Sequence, residues 1–115
     1  MNTNSCIFCG IVDGTNPAST IYRDDMVIAV ASPEPRARVH VLLIASRHVS
    51  SVDALSAGDQ ELWIHVLQVA QKIARAEGID VDAEGYQLVT NAGRHAARQF
   101  PHLHIHLLNG APCDI

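Results

Sequence analysis

The strongest constraint on this chain is a run near its C-terminal end, His102-Leu103-His104-Ile105-His106-Leu107-Leu108, in which imidazole and aliphatic side chains alternate. A side-chain period of two belongs to an extended strand, so the run predicts a β-strand with three histidines on one face and Leu103, Ile105 and Leu107 on the other. The aliphatic face explains how the strand is anchored. It does not explain three imidazoles opposite, where Thr, Lys or Glu would meet solvent equally well. Histidine is 7 of 115 residues, so this clustering points to a shared chemical task. Neutral imidazoles at i, i+2 can converge on a metal. One imidazole can instead act as a nucleophile while its neighbours hold and protonate the reacting group. A polar strand face with no joint role is the remaining reading.

The rest of the chain supplies what such a strand would pack against. Ser56 with Asp59 three residues later forms a capping-box-like start, Asp replacing the usual Glu. Leu62, Val66, Val69 and Ile73 then make one helical stripe, widened by Trp63, Leu67, Ala70 and Ala74 and ended by Gly78. Strands are expected over 20–23, 26–31 and 39–46, and 86–93 reads as a strand running into a loop, with turn-forming loops at 13–19 and 33–38. The order β, β, β, α, β, β predicts an α+β domain with an antiparallel sheet of about five strands, mostly hairpin-linked, and one long helix covering one face. The apolar segment "SCIFCGIV", 5–12, adds a short helix or turn. No repeat or linker divides the chain, so residues 1–115 are read as one domain. Hydrophobic residues are 48% of the chain and aromatics only 4%, so the core must be aliphatic.

A net charge of −4 argues against nucleic acid or an acidic membrane as the main partner, but not against a small anionic ligand met by a local cluster of donors. Cys6, Cys9 and Cys113 are too few and too unevenly placed for a secreted disulfide framework. No signal peptide and no apolar run of membrane-spanning length is evident, so a cytoplasmic protein is expected. Cys6-x-x-Cys9 has metal-knuckle spacing but is only half a zinc site, and the βαβ context of a thioredoxin-like redox pair is missing. Taken alone, His40 and Asn91 would read as a core histidine and a turn residue. His65 reads as a helix-edge residue, His95 as surface polar, and Cys113 has no assigned role.

The alternating run resembles the His-φ-His-φ-His-φ-φ signature of the histidine triad (HIT) nucleotide-binding and nucleotide-hydrolysing proteins, where φ is an apolar residue. The likeness extends through "CIFCGIVDGTNPASTIYRDD", with its Cys-x-x-Cys and Tyr-x-Asp-Asp ending. It continues in "HVLLIASRH", where Ala45 stands in the usual position of a proline, and in "LVTNAG". The spacing to the triad is similar to that of the Hint branch, the purine-nucleoside phosphoramidases.

The resemblance implies a HIT-like fold, a homodimer and a role for each residue. His104 becomes the nucleophile toward the α-phosphorus of a purine nucleoside 5′-monophosphate derivative, such as a phosphoramidate, through a covalent nucleotidyl-histidine. His106 and His102 assist, and His40 packs beside the triad. Asn91 lies near the ribose or phosphate. Cys6, Cys9, His48 and His102 would hold a structural zinc, leaving His104 free and requiring no catalytic metal. Three departures bear on base and leaving-group preference. Ser32 replaces the Asp or Asn that holds the ribose hydroxyls, Arg98 takes a Gln position, and Gln99 takes that of a phosphate-contacting Ser or Thr. The alternatives are a dinucleoside polyphosphate hydrolase, a nucleotide-binding module with little turnover, and a hydrolase whose triad holds a catalytic metal. The last is disfavoured because only Asp114 supplies a carboxylate near the triad.

Overall fold

The structure is a computed structural model that describes residues 6–92 and 101–110. In chain order it contains α1 (Ile7–Asp13), β1 (Thr20–Arg23), β2 (Val27–Ala31), β3 (Val39–Ala45), α2 (Gln60–Ala76), β4 (Gln87–Val89) and β5 (His104–Asn109). The five strands form one sheet in the order β1-β2-β3-β5-β4, every pair antiparallel. Short loops join the first three strands in sequence. β5 then enters beside β3, separating it from β4, so the mostly hairpin-linked pattern expected is broken only at the crossover from β3 through α2 to β4.

The long helix forms where its stripe predicts. Asp59 Oδ2 accepts from the Ser56 N–H at 2.9 Å and from the Ser56 hydroxyl at 3.2 Å. This box opens a 3₁₀ turn, Ala57–Asp59, and α2 proper begins at Gln60. At the other end Gly78 adopts φ 78°, a left-handed conformation that glycine takes without a Cβ penalty. Its N–H reaches Arg75 O and that of Ile79 reaches Ala74 O, both at 3.0 Å, which satisfies the last carbonyls in a Schellman arrangement.

Both faces of the central strands are covered, not one. Val27, Ala29, Val41, Leu43, Ala45, Leu103, Ile105 and Leu107 pack with Leu62, Val66, Val69 and Ile73 of α2. On the opposite face Ile28, Val30, Leu42 and Ile44 pack with Cys6 and Phe8 beside α1. Double coverage accounts for the near-continuous apolar sequences of β2 and β3, which lack the alternation of a half-exposed strand.

Strand ends also shift from expectation. β4 stops at Val89, where the Thr90 hydroxyl donates to His104 O at 2.9 Å. His102 and Leu103 precede the β5 ladder and are held instead by the segment after β3: Leu103 N–H reaches Val49 O at 2.6 Å and Ala45 N–H reaches Leu103 O at 3.2 Å. Among the described residues, no helix is long and apolar enough to cross a membrane.

Candidate active site and metal centre

The β3–β5 register places Ile44 opposite His104, Leu42 opposite His106 and Leu108 opposite His40. Opposed residues share a face, so His40 joins the triad on the α1 side of the sheet. All four imidazoles are buried, between 1% and 8% exposed. They form a row in which His104 and His106 ring centroids are 5.2 Å apart and His106 and His40 5.1 Å apart.

Main-chain groups set the tautomer along that row. The Arg36 N–H donates to His40 Nδ1 at 3.0 Å, so the remaining proton of neutral His40 lies on Nε2. That nitrogen is 2.9 Å from His106 Nδ1 and donates to it, which puts the His106 proton on Nε2. His104 Nδ1 donates to His102 O at 2.7 Å and therefore keeps a lone pair on Nε2. His102 Nε2 donates to Ala45 O at 2.7 Å and keeps its lone pair on Nδ1.

The imidazoles resist protonation. Burial pushes the pKa of His104 below its ordinary value, partly opposed by its bond to His102 O. His106 is pushed down to about 4, first by burial and then by the positive charges of His104, His40 and Arg36. His40 falls by burial and by Arg36. Burial also lowers His102, against the raising effect of Ala45 O. At neutral pH the row is thus uncharged, with His104 offering a lone pair and His106 an N–H.

The His102 lone pair faces two thiols. Its Nδ1 lies 3.3 Å from Cys6 Sγ and 3.5 Å from Cys9 Sγ, while His48 Nδ1 lies 3.1 Å from Cys9 Sγ. The four ligand atoms all fall within 4.8 Å of one another. A tetrahedral zinc with such ligands needs ligand–ligand edges of roughly 3.3–3.9 Å; the three short contacts come near that range and the set could hold a metal ion. The cysteine half of the set is placed locally. Cys6 caps α1 and accepts the Cys9 N–H at 3.3 Å, which turns both sulfurs to one side of the helix start. Burial, then the neighbouring Cys6, push the Cys9 thiol up to about 11. A divalent cation would reverse that preference. The donors are compatible with a structural zinc, which would fix α1 to the sheet.

A cavity of about 730 Å³ opens over His104, His106 and His40. One wall is apolar, from Phe8 and Ile11 of α1 with Val30 and Leu42; Ser19, Ser32, Glu34 and Arg36 add polar side chains elsewhere in the lining. Ser32 therefore shares the cavity with the triad. Asn91 follows Thr90, whose hydroxyl meets His104 O, and so lies close to the row in the chain. Arg98, Gln99, His95, Cys113 and Asp114 lie outside the described residues. Sequence reasoning missed two groups. Phe8 stands over the row, 4.6 Å from the His104 ring centroid; its signal was one of only two phenylalanines lying inside the Cys-x-x-Cys. Arg36, taken as loop surface, lines the cavity; its signal was a position four residues before His40. His65, read as a helix-edge residue, binds Asp24 Oδ2 at 2.5 Å on the far side of the sheet.

Comparison with known proteins gives the same result from sequence and from shape. The HIT domain family model matches residues 13–112. The chain is 37% identical over 106 residues to the purine nucleoside phosphoramidase of Escherichia coli K12, spanning 92% of this chain and 87% of that one. Among solved structures it superposes on a HIT family hydrolase from Clostridium thermocellum with a TM-score of 0.89 at 34% identity, covering 99% of this chain and 97% of the other. A HIT family hydrolase from Legionella pneumophila gives 0.88 at 33%, with 95% and 96% covered. The short N-terminal helix, the five-stranded antiparallel sheet and the long helix over it agree with these relatives, and the chain belongs to the histidine triad (HIT) family.

Proposed function

We propose that this protein hydrolyses, or transfers the nucleotidyl group of, purine nucleoside 5′-monophosphate derivatives, phosphoramidates above all, with His104 as the nucleophile. The observation that carries the proposal is the 2.7 Å bond from His104 Nδ1 to His102 O. It leaves Nε2 as an unprotonated nitrogen on a ring that lines the cavity, and burial keeps it so at neutral pH. Nε2 attacks the α-phosphorus, the P–N bond breaks, and the amine leaves with a proton taken from solvent. Water then attacks phosphorus, releasing the nucleoside monophosphate and restoring the imidazole.

Charge grows on the non-bridging oxygens in both steps. His106, neutral and with its proton on Nε2, is a fixed donor for one of them, and His40 and the Arg36 N–H hold it in that state. The apolar wall of Phe8, Ile11, Val30 and Leu42 suits a base. Asn91 and, just before the triad in the sequence, Arg98 and Gln99 are assigned to ribose or phosphate contacts. Cys6, Cys9, His48 and His102 are assigned to zinc, which holds α1 in place and leaves the displacement to the imidazoles. An exposed edge at β4, carrying Leu88, supports a homodimer.

The test is rapid acid or base quench of the protein with adenosine 5′-phosphoramidate, followed by mass spectrometry. A nucleotidyl adduct on His104, accumulating and decaying within turnover, is expected. His104→Ala should lose at least about 10³-fold in kcat, and chelation should leave adduct formation in place. Turnover without adduct, or turnover that needs added metal in the folded protein, would refute this mechanism. AMP binding without turnover would leave the protein a nucleotide-binding module.

A further inference from the structure

We propose that the cavity takes a nucleotide whose ribose carries a second phosphate, held by Arg36 with the hydroxyls of Ser32 and Ser19. The proposal rests on the nucleotide reading above and names a narrower substrate class for the same site. With phosphorus at His104 Nε2 and the base on the apolar wall, the sugar falls to the polar lining, most of it in the loop between β2 and β3, with Ser19 from the segment before β1. That loop is tied to the reacting end at two points. Ser32 N–H reaches His40 O and Arg36 N–H reaches His40 Nδ1, each at 3.0 Å, and His40 in turn meets His106.

The chemistry of this end is that of an anion site. A free ribose diol presents two O–H donors and is best met by an acceptor such as a carboxylate. Ser32 is poorly suited to that task. Its Oγ already accepts the Glu34 N–H at 3.3 Å within the loop, which engages one lone pair and leaves the hydroxyl proton free for the cavity. Ser19 adds another hydroxyl. Arg36 is the single fixed cation among the described lining residues, in a chain of net charge −4. None of the ion pairs among the described residues includes it. A guanidinium and two hydroxyls match a phosphate dianion, and the guanidinium's charge already reaches both His40 and His106. Glu34 on the same loop works against an anion and limits the preference.

Calorimetric titration of the protein as purified, with AMP, adenosine 2′,5′-bisphosphate and adenosine 3′,5′-bisphosphate, tests this; the guanosine series is run alongside. One bisphosphate should bind at least about tenfold more tightly than the monophosphate at low salt, the gap narrowing as ionic strength rises. Which isomer gains identifies the ribose position. Arg36→Ala should bring the ratio of monophosphate to bisphosphate dissociation constants to near one, and Glu34→Gln should widen it. Equal affinity for all three ligands in the unaltered protein overturns the proposal. So does an equal loss for all three in Arg36→Ala, because the guanidinium would then serve the α-phosphate. Failure of every ligand in both series to bind would instead refute the nucleotide reading itself, and this inference with it.

Discussion

At one end of the histidine row, His102 gives its Nε2 proton to the Ala45 carbonyl and turns Nδ1 toward Cys6 and Cys9. At the other, His106 receives the His40 proton on Nδ1 and keeps its own on Nε2, over the cavity. The residues are identical and buried alike, at 1% and 8% exposure, although His102 lies just before the strand that carries His106. What separates them is which ring nitrogen the surrounding groups occupy. A lone pair facing thiols makes a metal ligand; an N–H facing a cavity makes an oxyanion donor. His104 sits between the two with a lone pair facing the cavity, and its fixed proton ends on the carbonyl of His102. The proposed metal end and the proposed reacting end therefore meet in one peptide unit.

The sharpest way to break that comparison is to remove each end in turn. His106→Ala should lower kcat about 10²–10³-fold, the scale of one lost oxyanion donor, with bound zinc and melting temperature nearly unchanged. His102→Ala should do the reverse. Zinc content falls and the melting temperature drops, while the backbone carbonyl that holds His104 remains. Metal analysis, melting curves and steady-state kinetics on the two variants decide the matter. Equal zinc loss in both would show that the row is a single metal site.

A second, smaller effect should pass from the metal end to the cavity through α1. Phe8 lies between the two cysteines in sequence, and its ring packs on His104 while lining the cavity. Without metal, only thiol–imidazole hydrogen bonds of 3.1–3.5 Å tie Cys6 and Cys9 to His48 and His102, and the wall they carry should loosen. Chelation or a Cys6→Ser/Cys9→Ser double variant should weaken AMP binding about tenfold and raise amide hydrogen exchange across residues 7–13. Unchanged exchange would mean that packing on Ile28 and Ile44 suffices to hold the helix.

Much of this was legible beforehand, and the reason is periodicity. An alternation of His with Leu and Ile admits one conformation and one division of faces, and the α2 stripe with its Ser56 and Gly78 ends admits one helix. The Cys6, Cys9, His48 and His102 set was legible only through resemblance, since its members come from three separate stretches whose meeting is a tertiary fact. The second covered face was hidden because seven apolar residues around Phe8 carry no period long enough to say which sheet face they meet. Arg36 was hidden for another reason. Its place depends on a main-chain N–H finding His40 Nδ1, and a backbone donor has no signature in sequence.

Acid should expose the same division as a loss of stability. An imidazole in the unfolded chain takes a proton near its ordinary 6.5, whereas folded His106 holds out to about 4 and folded His40 also lies below 6.5. Between those values the unfolded state binds more protons, so stability falls as pH drops through the window from about 6.5 to 4. The contribution of His106 levels off below that. Urea unfolding at half-unit steps of pH should show this slope, and His106→Ala should flatten it. An unchanged slope in the variant would assign the acid sensitivity elsewhere.

The smallest effect belongs to His65, and it sets the limit of the comparison. His65 projects from α2 on the other side of the sheet, where its Nε2 meets Asp24 Oδ2. The same oxygen accepts the Tyr22 hydroxyl at 2.7 Å, and Oδ1 accepts the Met26 and Val27 N–H groups at 2.8 and 3.0 Å. Partial burial works to raise the Asp24 carboxyl, but the Tyr22, His65, Met26 and Val27 donors outweigh it and hold it well below the usual carboxylate range. Here a carboxylate, rather than the main chain, positions an imidazole, and no cavity or thiol faces the other nitrogen among the described residues. The pair is about 30% and 26% exposed, so His65→Ala should cost only about 1 kcal/mol or less in urea unfolding, with Asp24 keeping its other donors. Because the sheet lies between His65 and the row, kcat should stay within error of the unaltered protein. A change in kcat without a change in stability would mean that the two faces of the sheet are coupled, and that a tautomer in the row depends on more than its own main-chain partner.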